Sequence, residues 1–258
     1  MAGASVAALS FGGEVLNAMP GTSPGAPEAA APRVMAIAAH PGDAFFAMGA
    51  PVAAATHLGG RGFFLSLSLG DKGSMTIPPA QYGAMQQEAA TKAAGLLGAT
   101  ALFLHYGDGA VPDNDEAAFA VCDFIREHKP DIVVTHWKGS GHKDHQACYG
   151  IVQNAIFYAA IPGFVRKDPA HSVRRLYFAD NWEDARDFVP DTYLDIAPIY
   201  EQWLKACGVF PMWRGETGFR YNDYYASRAI GCGCLSGYEQ AVALMSWAEQ
   251  RTTHERTL

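Results

Sequence analysis

The chain has 258 residues, of which 49% are hydrophobic, so it is long enough and apolar enough to bury a full hydrophobic core. Its formal net charge of -7 argues against a broad surface for nucleic acid or for an anionic membrane. No apolar run reaches the roughly 18 residues that suggest a membrane span. The five cysteines lack the spacing of a disulfide framework, so we expect reduced thiols and a cytoplasmic protein.

The first 30 residues are rich in Ala, Gly and Pro and contain no Lys or Arg. A secretory signal peptide needs a positively charged start, which this segment lacks. We therefore expect residues 1–31 to form a flexible N-terminal arm, or an arm that packs on a neighbouring subunit, and residues 32–258 to form a single α/β domain. The arm and an aromatic C-terminal region leave a homo-oligomer open.

Short apolar segments alternate with longer amphipathic ones along most of the chain. The pattern predicts strands at residues 34–39, 62–69, 101–105, 131–135 and 174–179, and helices at residues 44–58, 81–97, 115–128, 145–160 and 199–207. Such alternation is typical of right-handed βαβ crossovers. The sequence therefore predicts an α/β fold, a Rossmann-like three-layer sandwich with a mostly parallel sheet and strand order 3-2-1-4-5.

Two histidine-bearing loops follow predicted strands. His40-Pro41-Gly42-Asp43 leaves the first strand, and Gly141-His142-Lys143-Asp144-His145 follows the fourth. Sites in open parallel sheets form at the carboxyl ends of strands where the strand order reverses. In the order 3-2-1-4-5 the first and fourth strands are neighbours, so the two loops should face each other across one crevice.

Imidazole and carboxylate groups are ligands suited to Zn²⁺, and three protein ligands with an open fourth position describe a catalytic zinc site. A metal bound in this way lowers the pKa of a bound water towards about 7 and polarises a carbonyl oxygen. The constellation therefore indicates hydrolysis of an unactivated amide.

Several motifs between residues 33 and 160 resemble those of the PIG-L/LmbE-like zinc N-deacetylases. Ala39-His40-Pro41-Gly42-Asp43 is similar to the family's A-H-P-D-D motif, and His142-Lys143-Asp144-His145 to its H-x-D-H motif. Lesser likenesses are found in Gly70-Asp71-Lys72-Gly73, in the helix from Glu88 to Gly98, in Asp108-Gly109 and in Thr135-His136. Family members remove acetyl groups from N-acetylglucosamine-type sugars and related amides, or cleave mycothiol conjugates.

The resemblance implies a role for each matching position. His40, Asp43 and His145 would bind Zn²⁺ or another divalent metal. His142 would stabilise the tetrahedral oxyanion and protonate the leaving amine, with Asp144 orienting it. Asp108 would lie near substrate hydroxyls, and Asp71 is a second substrate-binding candidate. The implied substrate is a small N-acylated sugar or glycoconjugate.

The chain departs from the family at Gly42, where members carry the Asp that acts as general base. General-base catalysis contributes typically 10²–10⁴-fold, so this loss alone predicts a slow enzyme. Asp71, Asp108 or Asp144 could replace the base, or zinc hydroxide could act unaided or with His142. Alternatively, the protein binds a ligand without hydrolysing it. We favour a hydrolase with a displaced base, because His142, Asp144 and the three ligands are present.

A second departure lies near the start of the helix at residues 81–97, where family members often carry a sugar-binding Arg. Met85, Gln86 and Gln87 stand there in this chain, so a less polar or differently shaped amide is open as the substrate. A cofactor enzyme of the Rossmann type is discounted, because the first strand is followed by His40-Pro41-Gly42-Asp43 and not by G-x-G-x-x-G.

Overall fold

The structure, a computed structural model, describes residues 31–248, so the N-terminal arm lies outside the described residues apart from residue 31. Its strands are β1 (Arg33–Ala38), β2 (Arg61–Ser68), β3 (Ala99–Tyr106), β4 (Ile132–Thr135), β5 (Arg175–Ala179), β6 (Thr192–Asp195) and β7 (Ala241–Ser246). Its α-helices are α1 (Pro41–Phe46), α2 (Gly49–His57), α3 (Pro79–Leu96), α4 (Asp115–His128), α5 (Lys143–Ala160), α6 (Tyr200–Cys207) and α7 (Tyr221–Ser236).

The strands form one sheet in the order β3-β2-β1-β4-β5-β7-β6. Strands β1 to β5 pair in parallel, which confirms the predicted order 3-2-1-4-5. Strand β7 is antiparallel to both β5 and β6 and extends the sheet beyond the prediction. The sequence did not predict β6, because it spans only four residues of an acidic, irregular segment.

Strand β1 shows how the sheet separates two apolar layers. Val34, Ala36 and Ala38 face a core shared with helices α2, α3 and α6, whereas Met35 and Ile37 face a core shared with α4 and α5. Alternate side chains of a strand point to opposite faces, so a strand covered on both sides reads as one continuous apolar run. The three-layer prediction is confirmed.

The helix predicted at residues 44–58 is two helices, α1 and α2, separated at Ala47 and Met48. Pro51 explains the break, because proline has no N–H to donate to the carbonyl four residues earlier. Restarting the helix at Gly49 places Pro51 in the first turn, where a missing N–H costs nothing. Among residues 31–248, no helix combines the length and the apolar character needed to cross a membrane.

Candidate metal site

The loops that follow β1 and β4 meet at one edge of the sheet, because these two strands are paired neighbours. His40 is the N-cap of α1 and has extended backbone angles (φ −132°, ψ 158°), as the following Pro41 requires. Asp43 lies in the first turn of the same helix. His142 is the N-cap of α5, and His145 lies in that helix's first turn. Local helix starts therefore direct all four side chains to the same place.

His40, Asp43 and His145 form a group whose potential ligand atoms lie within 4.8 Å of one another. Asp43 Oδ2 is 3.2 Å from His40 Nδ1 and 3.3 Å from His145 Nε2. Two ring nitrogens thus converge on one carboxylate oxygen, an arrangement that a cation held by all three atoms would explain.

The remaining polar atoms of these three residues contact other groups that fix their orientation. Asn181 Nδ2 donates to Asp43 Oδ1 at 3.0 Å, and Asp184 Oδ1 accepts from His145 Nδ1 at 2.9 Å. His40 Nε2 lies 3.2 Å from Asp108 Oδ1 and 3.3 Å from a carboxylate oxygen of Asp144. Carboxylates that hold the outer nitrogen of a metal-binding histidine commonly set its tautomer and ring orientation.

The inner nitrogen of His145 provides the test of metal fit. With its Nδ1 proton donated to Asp184, the ring would present a lone pair at Nε2 to a cation that takes the place of the second ring proton. This atom is buried and makes no hydrogen bond to any residue between 31 and 248. A buried polar atom without a partner is costly, and a metal ion beside Asp43 Oδ2 would satisfy it. The residues present therefore fit a bound divalent cation.

Asp184 also holds His136, through a 2.8 Å contact between Oδ2 and His136 Nδ1. The backbone N–H of Ala39 donates to His136 Nε2 at 3.1 Å, so the proton of this ring is on Nδ1. Both His136 nitrogens are therefore occupied, and the group of His136, His145 and Asp184 is a support for the site rather than a second metal site.

A further group, made of His40, Asp108 and His142, lies on the other side of His40. Some of its atoms already accept backbone hydrogen bonds. The backbone N–H of Lys72 donates to Asp108 Oδ2 at 2.8 Å, and that of Asp144 donates to His142 Nδ1 at 3.2 Å. The group with His145 differs from it in holding a buried ligand atom that has no hydrogen-bond partner within residues 31–248.

The electrostatics of the site favour positive charge. Burial opposes ionisation of His145, but Asp43 and Asp184 outweigh it and raise the pKa of His145 to about 10. Burial also opposes the charge of Asp184, yet His136 and His145 lower its pKa to about 2. Ionised carboxylates at this density attract a divalent cation.

His142 lies beside the three potential ligands, with its ring centroid 4.9 Å from that of His40 and 4.6 Å from that of His145. Because its Nδ1 accepts the Asp144 backbone N–H, the proton of the neutral ring is on Nε2. Burial and the neighbouring His145 lower the pKa of His142, which favours this neutral, proton-donating form.

The Asp144 carboxylate does not contact His142, contrary to the role expected from the sequence. It is fully buried and accepts the backbone N–H groups of Gly109 at 2.6 Å and Val111 at 3.3 Å, while also facing His40. The physical reason is its place in the first turn of α5, where it meets the loop that leaves β3. Only its backbone N–H contacts His142, so Asp144 positions His40 and that loop.

The two substrate-binding candidates are placed differently. Asp108 lines a cavity of about 170 Å³ at this edge of the sheet, together with His40, Asp43 and His142. Asp71 is not among the residues lining that cavity, and its Cβ packs beside Gly83 of α3. Left-handed Gly70 (φ 62°) turns the chain beside His40 before Asp71 is reached.

The structure adds Tyr82, Glu183 and Met212 to the cavity wall, none of which the sequence pointed to. Gln86, from the segment where family members often carry a sugar-binding Arg, lines the cavity too, as does Tyr221. Within residues 31–248, none of the lining residues is Lys or Arg. Asn181, Glu183 and Asp184 follow β5, the strand next to β4, so their position after a buried strand was the one signal that could have identified them.

The space directly beside Gly42 is narrow. A Cβ added to Gly42 would lie 3.1 Å from Met212 Sδ and 3.3 Å from Phe46 Cε2, so these side chains would have to move by a few tenths of an ångström. The thioether of Met212 in turn accepts from Gln86 Nε2 at 3.4 Å. Apolar groups therefore crowd the start of an Asp side chain at position 42.

This arrangement of strand-end loops is matched by a known family. Residues 35–156 match the family model described as PIG-L: GlcNAc-PI de-N-acetylase. This part of the chain, just under half of its length, resembles the PIG-L family. The match covers β1 to α5 and includes His40, Asp43, His142 and His145, whereas Glu183, Asp184 and Met212 lie beyond it.

The curated proteins to which the chain is similar include two kinds of enzyme. It is 24% identical over 177 residues to the 4-oxalmesaconate hydratase of Pseudomonas putida, covering 65% of this chain and 69% of the relative. It is 24% identical over 221 residues to the diacetylchitobiose deacetylase of Thermococcus kodakarensis, covering 81% of this chain and 80% of the relative.

The same fold is found in a crystal structure of the 4-carboxy-2-hydroxymuconate hydratase from Pseudomonas putida KT2440. The TM-score is 0.77 at 20% identity, over 88% of this chain and the whole of that one. PIG-L relatives thus include deacetylases and hydratases that share one architecture.

Proposed function

We propose that the protein is a metal-dependent hydrolase that removes the acyl group from an N-acylated amino sugar or glycoconjugate. The observation that carries the proposal is the convergence of His40 Nδ1, Asp43 Oδ2 and the unpartnered His145 Nε2 on one point at the cavity wall. Zn²⁺ is the proposed metal because two imidazoles and one carboxylate suit it. When bound, such a cation supplies Lewis-acid activation of water and of the amide carbonyl.

Glu183 is the proposed proton acceptor in place of the absent Asp at position 42. Asp43 is a metal ligand, and the oxygens of Asp108 and Asp144 face His40 and backbone N–H groups. The Glu183 carboxylate lines the cavity and has no hydrogen bond within residues 31–248, with Oε2 3.9 Å from His145 Nε2. Burial and the nearby Asp43 raise the pKa of Glu183, which makes it a better base than an ordinary carboxylate.

His142 is the proposed donor to the developing oxyanion. Its Nε2–H is suited to donate to the oxygen that gains negative charge as the hydroxyl adds to the amide carbon. The proton taken up by Glu183 then goes to the leaving nitrogen as the C–N bond breaks, and acetate and a free amine result. The cavity brings both residues next to the three ligands.

The charge of the cavity favours an uncharged substrate. Asp43, Asp108 and Glu183 line it, and no lining residue is Lys or Arg. The three carboxylates of the cavity would repel a polycarboxylate substrate, and mainly the bound metal would attract it. An N-acetyl sugar carries no such penalty. Diacetylchitobiose, the substrate in the name of one relative, is of this neutral class.

The proposal is tested by acetate release from a panel of N-acetyl sugars that includes N-acetylglucosamine and N,N'-diacetylchitobiose. The protein is freed of metal with a chelator and then reloaded with Zn²⁺. Acetate release should depend on the metal and disappear in His145→Ala. A zinc-loaded protein that binds these sugars and releases no acetate would instead support the ligand-binding alternative.

A hydratase is the second candidate, and Gly42 is the observation that favours it. Hydration of a carbon–carbon double bond involves no attack of water on an amide, so it does not depend on the Asp that the resembling family has at position 42. A similar curated protein and a similar solved structure, both from Pseudomonas putida KT2440, carry the name of a hydratase. Incubating the zinc-loaded protein with an unsaturated dicarboxylate and following the loss of conjugated absorbance separates the two reactions.

We also propose that the protein acts in the cytoplasm on small molecules. The five cysteines are unpaired, as suits a reducing compartment. Self-association stays a prediction, to be tested by sedimentation of the full chain.

A further inference from the structure

Gln86 is a polar side chain buried in the wall of the cavity. It belongs to α3, is 3% exposed, and lines the cavity together with Gly42, Tyr82 and Met212. Its amide nitrogen donates to Met212 Sδ at 3.4 Å. Sulfur accepts hydrogen bonds and a carbonyl oxygen cannot donate one, so this contact fixes which end of the amide faces Met212.

The other end of the same amide has no partner. Gln86 Oε1 is buried and makes no hydrogen bond within the described part of the chain, residues 31–248. Buried carbonyl oxygens are nearly always satisfied by protein or by water, and each exception calls for an explanation. Gln86 lines the cavity, so a small shift of its amide would bring this oxygen to a donor on a molecule bound there.

We propose that Gln86 Oε1 is a substrate-binding group that accepts a hydrogen bond from a hydroxyl of a neutral, polyhydroxylated substrate. The proposal rests on the proposed function and specifies its substrate class. An acceptor oxygen attracts a hydroxyl and repels a carboxylate. A ligand without a donor at this position would leave the buried oxygen unpaired, so the site should discriminate strongly against such a ligand. Gln86 would thus select sugars and reject unsaturated polycarboxylates.

Met212 links this group to Gly42. Its thioether occupies the space beside Gly42 and accepts from Gln86 Nε2. The sulfur contact holds the amide so that the oxygen remains unpaired. A glycine at position 42 is what makes room for this pair, since a Cβ there would lie 3.1 Å from the sulfur.

The test is ligand binding without turnover. Glucosamine, which has ring hydroxyls and no acyl group to lose, and its 3-, 4- and 6-deoxy analogues are titrated calorimetrically into the zinc-loaded protein. The variants are Gln86→Leu, Gln86→Glu and the matched control Gln87→Leu. Gln87 is the next residue of α3 and does not line the cavity.

Gln86→Leu should weaken glucosamine binding roughly 2- to 12-fold, the usual net range for one hydrogen bond. One deoxy analogue should bind the wild-type protein more weakly than glucosamine does, by a similar factor. The affinity of that analogue should be the same for Gln86→Leu as for the wild type. Gln86→Glu keeps an acceptor oxygen and should keep the dependence on that hydroxyl, and Gln87→Leu should match the wild type.

Three results overturn the proposal: no glucosamine binding by the wild type, equal affinity of Gln86→Leu and Gln87→Leu, or tighter binding of muconate than of glucosamine. If the folded yield of Gln86→Leu is too low, loss of the hydroxyl dependence in Gln86→Glu overturns it instead. A protein that shows the predicted coupling to Gln86 but releases no acetate contradicts the hydrolase proposal alone.

Discussion

Met212 Sδ lies 3.1 Å from the point where a side chain on Gly42 would begin. The two residues are 170 positions apart, and they meet because the short 3₁₀ helix Pro211–Arg214 lies against the cavity. A methionine therefore crowds the position at which the resembling family has a carboxylate. On the proposed function a different carboxylate, Glu183, serves instead, with its Oε2 3.9 Å from His145 Nε2.

The Gly42–Met212 contact predicts that restoring the family Asp alone gives no gain. In Gly42→Asp the new carboxylate must displace the thioether, so turnover should stay level or fall. The double variant with Met212→Ala should turn over faster than Gly42→Asp. The measurement is kcat/KM for acetate release, with Met212→Ala as the control. A rise in kcat/KM for Gly42→Asp alone would show that the space is vacant.

Replacement of Glu183 tests the displaced base. Glu183→Gln keeps the shape of the side chain but cannot take a proton, so kcat should fall roughly 10²–10⁴-fold. Zinc content, measured by elemental analysis, should be unchanged because Glu183 is not a proposed ligand. Glu201→Gln, at an exposed position of α6, is the matched control and should be neutral. Full activity of Glu183→Gln would refute its role as proton acceptor.

Asp184 should control metal affinity. It holds the outer nitrogens of His145 and His136, and loss of such a supporting carboxylate typically weakens metal binding 10–100-fold. Competition with a chelating dye should show this drop in Asp184→Asn. The control, Asp187→Asn, changes an exposed carboxylate three residues away and should leave zinc affinity unaltered. Equal affinities for the two variants would contradict the supporting role.

His142 and Asp144 should behave differently although they are near neighbours in one motif. His142→Ala should retain zinc and lose roughly 10²–10³-fold in kcat, the range for one donor to a developing oxyanion. Asp144→Asn should instead weaken zinc binding and lower the thermal midpoint, because its carboxylate contacts His40 and two backbone N–H groups. If Asp144→Asn lowers kcat alone, the sequence-based role of orienting His142 is the better one.

The parallel half of the fold could be predicted from sequence because it depends on local patterns. Buried strands such as β1 read as continuous apolar runs, and α4 is framed by Asn114 as an N-cap and by left-handed Lys129 after its last turn. The break between α1 and α2 was missed, since the periodicity continues through Pro51 and only the backbone shows where the helix restarts. The antiparallel strands β6 and β7 depend on pairing over long sequence distances.

The amino-acid sequence by itself determined which loops lie at the carboxyl edge of the sheet, and hence that His40, Asp43, His142 and His145 meet there. Strand order and helix starts suffice for that, because both are set by short-range signals. Only the tertiary structure decided what surrounds them: Asn181 and Asp184 as supports, Glu183 as the available carboxylate and Met212 beside Gly42. These contacts join residues 38 to 170 positions apart, and no local pattern encodes which side chains will share one cavity.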